Sequence, residues 1–252
     1  MADQHLRQLQ REFEETQSAS AEEALLRHKV RLGELSEQGF RLRLLELHWE
    51  ATGSPADEAK LLAERVRALA LAPSRLRLAA ALGHSAAVVA LSLLDRQPAS
   101  LQDLERLFRA VDFSAQRAAL AAARWTLDLA TLPDDEREAA EHMLQVLSEW
   151  IACPCERHQA EAEALSVEEA SAFETCFATK TSVALSSARS ALFSCGPLSS
   201  SFGWRTNWGV QSRGRLRHAL DALNAAGYRK QVCEVVRVEL VPWLLGYGDP
   251  VR

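Results

Sequence analysis

Apolar residues recur at helical spacing along most of this chain. Leu6, Leu9 and Phe13 follow an i, i+3, i+7 pattern, and Leu104, Leu107, Phe108 and Val111 form a second stripe of the same kind. Residues 134–152 carry Met143, Leu144, Val146, Leu147 and Trp150 on one side and acids on the other. Starts and stops punctuate these stripes. Ser20-Ala-Glu-Glu23 has the form of a capping box, with Ser20 as N-cap and Glu23 reaching back to it. Ser54-Pro55 sets an N-cap before a proline, whose missing N–H matters least in a first turn. Ser100 with Asp103, and Ser166 with Glu169, repeat the logic. Gly33 and Gly53 stand where helices should stop. The pattern predicts helices near 3–16, 21–32, 37–52, 55–71, 74–82, 86–95, 101–111, 114–131, 134–152, 156–164, 167–194, 213–226 and 229–245. Residues 194–212, with a Gly-Pro and a serine run, predict an irregular loop.

Two stretches, 6–35 and 42–71, carry one pattern offset by 36 positions. Leu6-Arg7 recurs as Leu42-Arg43, Phe13-Glu14 as Trp49-Glu50, and Thr16 and Ser18 as Thr52 and Ser54. Glu22, Leu25, Leu26, Val30, Arg31 and Leu35 recur as Glu58, Leu61, Leu62, Val66, Arg67 and Leu71. A period of this size marks stacked helix pairs, because one pair cannot bury its apolar face alone. The expected fold is all-α: a right-handed, solenoid-like stack of antiparallel helix pairs with about twelve helices. An N-terminal repeat region would span 1–95, and a C-terminal helical region 96–252.

Composition supports this and narrows the function. Ala, Leu, Arg and Glu dominate the 252 residues, and aromatics make up 6%. The most apolar run, Leu76–Leu94, is broken by Arg77, Gly83-His84 and Ser85, so no membrane span is expected. The opening residues have no basic region followed by an apolar run, so no secretory signal is expected. Five cysteines do not make a disulfide framework in a chain this long, and a reduced, cytoplasmic protein is the natural reading. A net charge of −5 argues against nucleic acid as a partner. The charge is uneven: from Asp134 to Cys176 acids outnumber bases twelve to two, and from Gly203 to Arg252 bases outnumber acids eight to four. An acidic middle suits a basic protein partner.

Chemistry-bearing motifs are scarce. Cys153-Pro-Cys155-Glu-Arg-His158 is the one compact group of soft ligands. Its spacing is not that of a common zinc finger and no second ligand pair is in view, so no metal is expected; both thiols would pack as small apolar groups beside a helix broken at Pro154. No histidine is joined by a nucleophile and base arrangement, and there is no phosphate-binding glycine loop or dinucleotide pattern. Neither catalysis nor a cofactor is expected. The candidate contact residues are the acids Glu161, Glu163 and Glu168, and the loop residues Trp204, Arg205 and Trp208, since aromatics with arginine anchor interfaces.

Trp49-Glu-Ala-Thr-Gly-Ser-Pro-Ala-Asp-Glu-Ala59, Glu64-Arg-Val-Arg67, Arg75 to His84, Trp150 to His158 and the ending Glu239 to Arg252 together resemble a family of helical proteins common in myxobacteria. The Ala-rich second halves of its members are similar to predicted all-helical immunity proteins of bacterial toxin systems. The resemblance implies a non-enzymatic, cytosolic binding protein that neutralises a cognate toxin by covering it, and the acidic middle would suit a basic toxin. A helical-repeat scaffold or regulatory adaptor that holds a peptide or protein partner is the alternative.

Overall fold

The computed structural model describes residues 2–96, 104–129, 134–162, 164 and 229–248, and every regular element among them is a helix. These are α1 (Ala2–Thr16), α2 (Ala19–Arg31), α3 (Glu37–Thr52), α4 (Pro55–Arg67), α5 (Pro73–Ala81), α6 (Ser85–Leu93), α7 (Leu104–Arg109), α8 (Ser114–Leu129), α9 (Asp134–Ala152), α10 (156–162) and α11 (Arg229–Leu245). The protein is all-α and built from packed helix pairs. The helices expected over 167–194 and 213–226, the loop 194–212 and the caps Ser100 and Ser166 lie outside the described residues. The chain forms two compact units: residues 1–80 with 84–98, and residues 81–83 with 99–252.

In the first unit the 36-residue repeat is written into the backbone. Helices α2 and α4 start at Ala19 and Pro55 and end at Arg31 and Arg67, so both ends keep the offset. The turns before them are made the same way. The Thr16 and Thr52 hydroxyls accept from the backbone N–H groups of Ser18 and Ser54, at 3.4 and 3.2 Å. The Ser18 and Ser54 hydroxyls then cap the helices by accepting from Ala21 and Ala56, both at 3.2 Å. This corrects the expected cap at Ser20. Ser18 has the extended backbone that a cap requires, and Ser20 falls inside the first turn with its hydroxyl 3.3 Å from that of Ser18.

The helix stops also repeat, although their residues do not. Gln17 and Gly53 are both left-handed, with φ of 49° and 59°, and donate to Phe13 and Trp49. Gly33 and Leu69 are both left-handed, with φ of 74° and 58°. Around each, two crossed backbone bonds close the helix: Gly33 to Val30 and Glu34 to Lys29, then Leu69 to Val66 and Ala70 to Arg65. That is a complete Schellman stop in both copies. Glycine fills one of the two stops in each copy and an ordinary residue fills the other. Helix α4 therefore ends at Arg67 rather than at the expected 71, because Leu69 takes the left-handed position without the glycine that would announce it.

Burial deepens from the first copy to the second. Ala21 and Leu25 are the buried apolar residues of α2, while in α4 Ala59, Leu61, Leu62, Ala63 and Val66 all are. Helix α6 accounts for the difference. It packs on α4 with Ala86, Ala87, Ala90 and Leu91 inward, and small residues on both faces let the helices approach closely. The two run parallel, as contacts at both ends show. His84 Nε2 lies 3.4 Å from Glu58, and Arg67 donates to the Leu93 carbonyl at 3.1 Å. His84 is also the N-cap of α6, accepting from the Ala87 N–H through Nδ1 at 3.3 Å. Each fully buried leucine here, such as Leu61, contributes roughly 1.5–3 kcal/mol.

Charged pairs stitch these helices together. Arg43 of α3 reaches Glu22 of α2 at 2.6 Å, and Glu46 and Glu50 on its own helix at 3.3 and 3.2 Å. Glu46 also meets Arg65 of α4 at 2.8 Å. The hydrogen bond to Glu22 does most to hold the Arg43 guanidinium protonated even more firmly than usual. Glu64, buried on α4, is paired with Arg41 and Arg67 at 3.6 and 3.1 Å. The equivalent position in the first copy is His28. It is 8% exposed and lies edge-on to His5 with ring centroids 4.8 Å apart. Neither of its ring nitrogens has a hydrogen-bond partner among the described residues.

In the second unit α8 packs against α7, α9 and α11. Its Ala118, Leu120, Ala121 and Ala122 meet a core that includes Leu144, Leu147 and Ile151 from α9, and Leu240, Leu244 and Leu245 from α11. Arg117 is buried, with its guanidinium 4.4 Å above the Trp243 ring, so a cation–π contact ties α8 to α11. Phe113 stands edge-on to Trp150 at 5.5 Å. Pro242 lies inside α11 and removes the donor that the Val238 carbonyl would use. Val238 is exposed, so water can take that donor's place.

Candidate functional site

Helix α9 separates its faces cleanly. Leu144, Leu147, Ser148 and Ile151 turn inward, with Arg124 of α8 donating to the Ser148 hydroxyl at 2.9 Å. Asp134, Glu138, Glu141, Gln145 and Glu149 are exposed and follow one another at intervals of three or four. That spacing places four acids on one outward stripe. Within it Arg137 lies 3.8 Å from Glu141, and Gln145 donates to Glu149 at 2.6 Å.

The stripe ends at a tight corner. Cys153 follows the last residue of α9 and its N–H still bonds to the Glu149 carbonyl at 2.9 Å. Pro154 has no N–H and ends the helix. The Cys155 N–H turns back to the Cys153 carbonyl at 2.8 Å, and the Cys155 carbonyl accepts from Gln159, opening α10. Both thiols are thus anchored by backbone to a helix end. Both are exposed, which corrects the expectation that they pack inside. The chain reverses at the surface here, and the inward positions of α9 are already filled by Leu147, Trp150 and Ile151.

His158, in the first turn of α10, leans back over the corner. Its Nδ1 lies 2.9 Å from the Cys153 carbonyl and 3.3 Å from Cys155 Sγ, and its Nε2 is 2.7 Å from Arg157. Arginine only donates, so Nε2 is the acceptor and Nδ1 carries the proton. Ligand atoms of Cys153, Cys155 and His158 all lie within 4.8 Å of one another, and so do those of Glu149, His158 and Glu161. The backbone N–H of His158 does most to hold the Cys155 thiol below the ordinary thiol range; Cys153 and the imidazole add to the effect, and desolvation opposes it. A thiol at a helix N-terminus is commonly lowered in this way.

Of the residues singled out in sequence as contacts, Glu161 is exposed on α10, 3.8 Å from Arg157. Glu163, Glu168, Trp204, Arg205 and Trp208 lie outside the described residues. The acids expected on the far side of 134–152 are Asp134, Glu138, Glu141 and Glu149, whereas the approach of Glu149 and Glu161 to His158 was missed. For Glu161 the signal was present, since it follows His158 by three residues on one helix, whereas Glu149 lies on the preceding helix and comes to His158 only through the corner at Pro154. In the first unit a recess of about 490 Å³ is lined by Glu37, Gln38, Phe40, Arg41, Leu44 and Glu64. Among the described residues no helix is long and apolar enough to cross a membrane. No family model matches the chain, and neither a curated protein nor a solved structure matches it.

Proposed function

We propose that this is a non-enzymatic, cytosolic protein-binding module, most concretely an immunity-type protein that neutralises a basic toxin by covering it. The acidic stripe of Asp134, Glu138, Glu141 and Glu149 on the outer face of α9 carries the reading. A row of exposed like charges on a rigid helix repels its own kind and steers an oppositely charged partner into contact. The resemblance to predicted helical immunity proteins points the same way. Glu161 continues the acidic surface beyond the corner. A partner captured from a native-host lysate tests this directly. Changing Asp134, Glu138 and Glu141 together to Lys should slow association at low salt by at least about tenfold and leave the helical signal intact. An unchanged association rate at low salt would reduce the stripe to a solvated helix face.

The recess beside Phe40 favours a second reading, an adaptor that seats a peptide against the first unit. Loss of capture on Phe40→Ala, with the α9 triple variant still binding, would select it.

A further inference from the structure

We propose that Cys153, Cys155 and His158 form a binding site for a single zinc ion, with Glu149 and Glu161 supporting the imidazole. Two thiols and an imidazole are a soft donor set, suited to zinc and poorly suited to magnesium or calcium. The geometry agrees with the chemistry. A tetrahedral zinc with Zn–S near 2.3 Å and Zn–N near 2.0 Å sets sulfur–sulfur edges of roughly 3.8 Å and sulfur–nitrogen edges of roughly 3.5 Å. The three ligand atoms lie within 4.8 Å of one another, and Cys155 Sγ is 3.3 Å from His158 Nδ1, so an ion needs shifts of only a few tenths of an ångström to about one. Backbone hydrogen bonds to Glu149 and Gln159 hold the two cysteines, and Pro154 between them has a fixed φ, so little freedom is lost on binding. This departs from the expectation of no metal, because the second cluster of ligands comes from helix turns on either side rather than from another cysteine pair.

That second cluster shares only His158 with the first. A zinc-bound histidine usually gives its other ring N–H to a carboxylate, which fixes the tautomer and raises the ligand's basicity. On binding, Nδ1 turns from donor to zinc ligand, its proton is taken up at Nε2, and the two thiols release theirs to solvent. Arg157 can no longer donate to Nε2. Its side chain is 74% exposed and free to swing away, leaving Nε2–H to Glu149 or Glu161. Three protein ligands leave a fourth position facing solvent, open to water or to a side chain of another protein.

The site stands independently of the binding reading, and metal alone tests it. The full chain, reduced and stripped of metal, is titrated with cobalt(II) and then with zinc. One equivalent of cobalt should raise a sulfur-to-cobalt charge-transfer band in the near ultraviolet, and zinc should abolish it. Cys153→Ser or Cys155→Ser should each remove at least half of that band, and His158→Gln should weaken zinc binding at least tenfold against a chromophoric chelator. Glu149→Gln combined with Glu161→Gln should keep the band and weaken zinc roughly 10–100-fold. No charge-transfer band at a cobalt excess overturns the site. So does a full band in both serine variants, which would assign the metal to Cys176, Cys195 or Cys233. Unchanged zinc affinity in the double glutamine variant overturns the role given to the carboxylates.

Discussion

Leu69→Gly should make this protein more stable, although it deletes a large apolar side chain. Leu69 has a φ of 58° and sits where Gly33, 36 residues earlier, has a φ of 74°. The two close identical stops, so the earlier copy shows which residue the backbone prefers there. A left-handed conformation costs an L-residue roughly 1–2 kcal/mol. Glycine gives back about 0.5–1 kcal/mol through its greater freedom in the unfolded chain. Leu69 is 90% exposed, so removing it sacrifices almost no burial. The expected gain is about 0.5–1 kcal/mol. Denaturant unfolding followed by circular dichroism should show a higher midpoint at an unchanged slope. The converse is Gly33→Ala. A Cβ there would meet no atom within 4 Å, so any loss must be conformational, and about 1 kcal/mol is expected. Reduced stability in Leu69→Gly, or a neutral Gly33→Ala, would refute the reasoning that one backbone rule governs both stops.

Arg43→Met should cost about 1–2 kcal/mol, because Glu22 and Glu46 are partly buried and lose a cation, while Glu50→Gln at the exposed end of the same network should cost under about 0.5 kcal/mol; equal losses would argue against a burial effect. His28→Leu should stabilise by about 1 kcal/mol in a urea melt, since it replaces two buried, unpartnered ring nitrogens with apolar surface; a loss of stability would mean that the contact with His5 dominates. In reduced, metal-free protein, iodoacetamide should alkylate Cys155 before Cys153 and Cys233 near pH 7. A lowered pKa keeps the folded thiol ionised at pH values where an ordinary thiol is protonated, so the preference should vanish in urea; equal rates in the folded protein would contradict the hydrogen bonding at the start of α10.

Helix positions were legible because they rest on local rules. Apolar spacing, the Ser54-Pro55 cap and the stops at Gly33 and Gly53 each act over a few residues, and the structure follows them. Local rules failed where two residues were equally suited or where the telling residue was absent. Ser18 and Ser20 are both good caps, and the hydroxyl of Thr16 and the extended backbone at Ser18 choose between them. Leu69 and Gln17 adopt left-handed stops that neither residue advertises, because the packed hairpin imposes a conformation that isolated residues disfavour. The 36-residue period identified paired helices, yet only packing decided that the second copy is the more buried, since α6 covers α4.

The candidate site divides along the same line. Sequence alone determined the acidic excess of the middle and the Cys-Pro-Cys-Glu-Arg-His run, because composition and adjacency need no fold. Tertiary structure decided that both thiols face solvent and that Glu149 reaches His158 across the corner. Side chains from two helices meet only once the corner at Pro154 has set the angle between them. That angle is a property of packing, and no spacing along the chain encodes it.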